Sequence, residues 1–109
     1  MGESTVATDL RERVRIEFPQ SVADGLGGRT ISWQLLAECW AQIEPLRSAA
    51  RAAERSAQRS TMAGYRVRMR LRDDVDATMR IIWRNRVLMI HSLHELSHAL
   101  ELLAYEEQL

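Results

Sequence analysis

The sequence contains no lysine. Its fifteen basic residues are all arginine, they are matched by fifteen acids, and the net formal charge is zero. A balanced charge argues against a general nucleic-acid binder. It also means that every cation is a planar, multi-donor fork suited to carboxylates. There is one cysteine, Cys39, so no internal disulfide can form. It lies in an apolar run and reads as a small buried hydrophobe. No apolar stretch approaches the roughly 20 residues that a membrane-spanning helix needs, so no membrane partner is expected. The opening "MGESTVATDL" lacks the basic start and apolar core of a signal peptide. Val6 stands where a myristoylation motif beginning at Gly2 requires Ser or Thr. These features fit a reducing cytoplasm. "DGLGG" lacks the lysine of a phosphate-binding loop, and "DDVD" has too few ligands at the wrong spacing for a calcium loop. There are no internal repeats.

At 109 residues, the chain suits one domain with one modest core, and assembly with partners would add to its small stability. The charge is unevenly spread. From Arg47 to Arg72 there are eight arginines and one acid, Glu54, whereas from Ser92 to Leu109 there are four glutamates and no arginine. One half of the molecule is therefore electrostatically suited to the other half of a second copy.

Residues 1–8 are small and polar and read as a mobile tail, followed by a single domain over 9–109. "LRERVRIEF" alternates, with Leu10, Val14, Ile16 and Phe18 on one face, which predicts a half-buried strand. "PQSVADGLGGRT" reads as a turn or mobile loop. "ISWQLLAECWAQIEPL" is strand-like and predicts two short strands or one bent one, with a helix possible around Leu35 to Glu38. "RSAARAAERSAQRST" is rich in Ala and Arg and is the best helix candidate. Its Arg47, Arg51, Arg55 and Arg59 would form a basic stripe. "YRVRMRLR" alternates without fault. Tyr65, Val67, Met69 and Leu71 fall on a core face, and Arg66, Arg68, Arg70 and Arg72 on an outer one. "DDVD" reads as a turn, and "ATMRIIWR" and "RVLMIHSL" as a hairpin turning at Arg84–Asn85–Arg86, where Asn85 can take a positive φ. "ALELLAYEE" completes the set. The pattern predicts a mainly β fold: a small antiparallel β-barrel of six or seven strands with one short α-helix. Trp33, Trp40 and Trp83 read as core or interface anchors.

"HELSH", residues 94–98, fits the zinc-peptidase pattern H-E-x-x-H. That chemistry needs a helix, on which His94 and His98 share a face and Glu95 holds the attacking water. His91 would fall on the same helical face. The longer forms of the motif are not met. Glu101 and Ala104 stand where they want Gly and His, and eleven residues after His98 leave little room for a second helix. The approach "RVLMIHSL" is strand-like, so the motif reads as a polar turn between the last two strands. No catalytic, metal or cofactor site is assigned. A small zinc hydrolase remains one alternative. A barrel binding single-stranded nucleic acid is another, and it would need stacking aromatics on the arginine face. Tyr65 falls on the opposite one.

From "LRERVRIE" through the "DGxGG" loop, Trp33 and "CWAQIEPL" (Trp40, Ala41, Ile43, Glu44, Pro45, Leu46), the chain resembles the head-tail joining proteins of long-tailed phages. These are also called head-closure, stopper or head-tail adaptor proteins, and they occur in phage-like gene transfer agents. The Ala-rich segment, "YRVRMRLR", "TMRIIWRNRVLMI" and "ALELLAYEE" extend the resemblance over residues 9–107. "HSLHELSH" departs from it, since relatives have a shorter turn with Asp or Gly. The resemblance implies a structural protein that is not an enzyme and has no cofactor. It would form a six-fold or twelve-fold ring at the head-tail interface of a particle assembled in the bacterial cytoplasm. Its partners would be a portal-side connector or adaptor protein, a tail terminator or tail tube protein, and double-stranded DNA passing without sequence-specific binding. Arg66, Arg68, Arg70 and Arg72 would then meet Glu101, Glu106 and Glu107, or the acids Asp73, Asp74 and Asp76, of a neighbouring subunit.

Overall fold

The computed structural model describes residues 10–46 and 63–107. Six strands follow in order: β1 (Glu12–Ala23), β2 (Arg29–Pro45), β3 (Gly64–Arg70), β4 (Arg80–Trp83), β5 (Arg86–Glu95) and β6 (Ala99–Glu106). All pairings are antiparallel. The order β1-β2-β3-β6-β5-β4, with β4 pairing back onto β1, closes the sheet into a barrel. Among the described residues there is no helix. The helix expected within Arg47–Thr61 and the tail at 1–8 lie outside the described residues.

The alternation read in the sequence fills the interior. Val14 and Ile16 of β1, Val67 and Met69 of β3, Ile81 of β4, Leu88 of β5 and Leu100 and Leu102 of β6 are fully buried or nearly so. No polar or charged residue of the described chain is buried. One end of the barrel is sealed by aromatics. Trp83 meets Tyr65 edge-on, with ring centroids 5.5 Å apart. Its indole N–H donates to the Glu12 carboxylate at 2.9 Å, and Arg86 donates to the Tyr65 hydroxyl at 3.1 Å.

Two tight connections fix the register. At the β4–β5 turn Arg84 and Asn85 have φ of 51° and 63°. Two consecutive positive φ values make the two-residue hairpin whose twist matches the flanking strands. Asn85 was expected there. Arg84 was not, and its guanidinium reaches the Glu12 carboxylate at 3.1 Å. At the β5–β6 turn the Leu96 N–H donates to the Ala99 carbonyl at 2.8 Å.

Several expectations are corrected. "PQSVADGLGGRT" is mostly strand: Pro19–Ala23 belong to β1, Arg29 and Thr30 to β2, and the turn itself is only Asp24–Gly28. "ISWQLLAECWAQIEP" is one continuous strand without a helix. Its pairing with β1 slips by one residue between Ile16 and Glu17, which leaves Leu36 as the bulge. β3 ends at Arg70, so Leu71 is outside the strand and 46% exposed instead of facing the core. Among the described residues there are six strands. Leu102 is fully buried in the core cluster, so Leu102→Ala is expected to cost about 2–5 kcal/mol. Urea unfolding should show the midpoint falling with the slope unchanged, which marks lost stability in an unaltered fold.

Candidate functional site

The sheet is wider than the barrel. β4 pairs with β1 only over Arg15–Glu17, and β3 pairs with β2 only over Ala41–Pro45. Beyond these limits, Phe18–Ala23 of β1 and Arg29–Gln34 of β2 pair with each other alone. They form a two-stranded arm about 20 Å long at about 3.3 Å per residue. From Gln20 to Ile31 every residue is exposed, so the outer arm shows little hydrophobic alternation.

The tip is built for a tight return. Gly25 and Gly27 take φ of 81° and 87°, a region open to glycine. The Asp24 carboxylate accepts from the backbone N–H of Leu26 at 2.8 Å and of Gly28 at 3.0 Å. These two bonds, that from Leu26 first, hold its carboxyl below the usual carboxylate range. Leu26 is left at the apex, 91% exposed. Val22, Ile31 and Leu35 add exposed apolar surface along the arm.

The root is held by charge and an aromatic ring. Arg80, the first residue of β4, donates from Nε to Glu17 at 2.9 Å and lays its guanidinium over the Trp33 ring at 4.2 Å. Glu17 also receives Arg15 at 3.4 Å. Thus Trp33 anchors the arm to the barrel. Trp83 is in the core, and Trp40 lies outside it, 51% exposed with Arg13 over its ring at 5.2 Å. On the other side of the root, where β3 stops, Leu10, Cys39, Trp40 and Leu71 floor a groove bordered by Arg13, Arg70 and Arg72. Burial pushes the Cys39 thiol up, partly offset by Arg72 and Arg13, so it is a poor nucleophile.

The arginine row does face outward, but it is interleaved with glutamates of the same chain. Glu101 receives Arg66 at 3.2 Å and Arg68 at 3.0 Å, and Glu44 receives Arg66 at 3.2 Å. Register explains this, because Arg68 stands opposite Glu101 and Arg66 opposite Glu44. Arg72, beyond the strand end, grips Asp74 with two bonds of 2.7 and 2.9 Å, which lower the Asp74 carboxyl and raise the Arg72 guanidinium. Arg70 makes no ion pair among the described residues. Glu106 and Glu107 lie at the opposite end of β6 from Arg70, beside Ala63 and Val87. Sequence reasoning missed Glu17, Arg80 and Glu44. Only the register brings them together.

"HELSH" is not helical. His94 and Glu95 end β5, His94 stands opposite Glu101, and His98 lies in the turn. The helical face on which zinc-peptidase chemistry depends does not exist here, because His94 is at the end of a strand and His98 lies beyond it in the turn. His91 sits at a bulge of β5 and meets Tyr105 edge-on at 5.6 Å. Nor does the arginine face carry a stacking platform from Tyr65, which is buried.

The family described as phage head completion protein matches residues 6–107. The chain belongs to that family. The resemblance read from the sequence is met, and it is a family of structural virion proteins. Among solved structures, this head completion family member is similar to protein SF1141 from Shigella flexneri 2a, known in solution. The two are 26% identical with a TM-score of 0.70, over 90% of this chain and 93% of that one. It is also similar to a chain in the virion of a native gene transfer agent particle, at 26% identity and a TM-score of 0.66, over 91% of this chain and 96% of that one. No curated protein matches it.

Two outcomes test the arm. Arg80→Met should leave the barrel folded while amide exchange in Phe18–Ala23 and Thr30–Gln34 accelerates about tenfold or more, a local opening read by mass spectrometry. A lowered carboxyl stabilises the tip above the ordinary Asp pKa, and the effect fades as pH falls through its own lower value. The Leu26 and Gly28 amide shifts should therefore titrate together below the free-Asp range, and the titration should vanish in Asp24→Asn.

Proposed function

We propose that this chain is a structural protein of a phage or phage-like particle, placed where the head meets the tail, which completes the DNA-filled head and carries the tail. The observation that supports this is the family match over nearly the whole chain, together with the likeness to a chain of a gene transfer agent virion. The all-apolar interior is consistent with a scaffold, whose chemistry is shape and surface. In this reading copies form a ring of six or twelve around the DNA channel. A portal-side connector or adaptor lies on one side and a tail terminator or tail tube protein on the other, and the ring closes or gates the channel. The double-stranded DNA passes without base-specific contacts.

The arginine row and the acidic end of β6 are the proposed contacts between subunits or rings. Intrachain pairing divides the roles within the row. Arg66 and Arg68 share Glu101 and Glu44 and so hold the β2–β3–β6 face in shape. Arg72 is committed to Asp74. Arg70, exposed, is the cation offered outward, and Glu106 and Glu107 are the acids offered in return. Such a contact is heterologous, joining unlike patches, as ring closure requires. Trp40, half-exposed at the groove beside Arg70, is the aromatic anchor of the same contact.

Disrupting the gene should yield filled heads and free tails that fail to join, as counted by electron microscopy, with joining restored by the intact gene. Normal tailed particles without it would overturn the reading. Arg70→Glu should leave the isolated chain as stable as before, because an exposed charge contributes about 0–1 kcal/mol, while joined particles fall sharply. A second change of Glu106 and Glu107 to Arg should recover part of the loss.

A further inference from the structure

We draw no further inference here: the strongest candidate, the exposed apolar surface that Val22, Leu26, Ile31 and Leu35 form along the β1–β2 arm, carries nothing, because nothing in the structure shows what covers it.

Discussion

Three residue pairs close the sheet: Arg15 with Ile82, Ile16 with Ile81 and Glu17 with Arg80. Everything else in the fold is arranged around this short seam. Ile16 and Ile81 are fully buried there, and their burial drives closure. Glu17 sits at the seam's limit, where it receives Arg80 at 2.9 Å and Arg15 at 3.4 Å, both on the outer surface. The same Arg80 covers Trp33. The contact that ends the barrel is thus the contact that starts the arm. The bulge at Leu36, beside the seam, adds local bend and twist where β2 passes from a curved barrel wall to a free ribbon.

Charge is handled with one kind of cation. A guanidinium can serve two carboxylates or a carboxylate and a ring at once, which a lysine ammonium does less well. Arg66 bridges Glu44 and Glu101, Arg80 joins Glu17 to Trp33, and Arg84 lies between Glu12 and Trp83. Four arginines at alternate positions would repel on a bare strand. Here the flanking strands supply the acids that neutralise most of the row. Each exposed pair is weak by itself. Together they tie the outer faces of β2, β3 and β6, and of β1 and β4, leaving Arg70 as the member of the row without an ion pair among the described residues.

The barrel strands were legible because one side of each is buried. "YRVRMR", "RVLMI" and "ALELLA" alternate, and the register follows the pattern closely. The arm was not legible for the same reason reversed. With no core beneath it, Pro19, Gln20 and Ser21 look like loop residues, although they are held by their ladder to β2. The ambiguity at Leu35–Glu38 has a physical source in the bulge, which sets Leu35 outward and Leu36 against the core and so breaks the alternation. Leu71 misled because the alternation runs one residue beyond the strand. The outward direction of the arginines was readable, but their partners Glu44 and Glu101 were not, since cross-strand register lies outside the sequence of any one strand. "HELSH" shows how a short pattern loses its meaning when its backbone is a strand and a turn.

Pro19 gives the arm two unlike sides. A residue without an N–H has no donor to offer a further strand, so the β1 side of the ribbon is the poorer place for the sheet to widen. On β2 no proline interrupts the run from Arg29 to Glu44. The asymmetry of the whole ribbon is set here by the missing hydrogen on a single ring nitrogen.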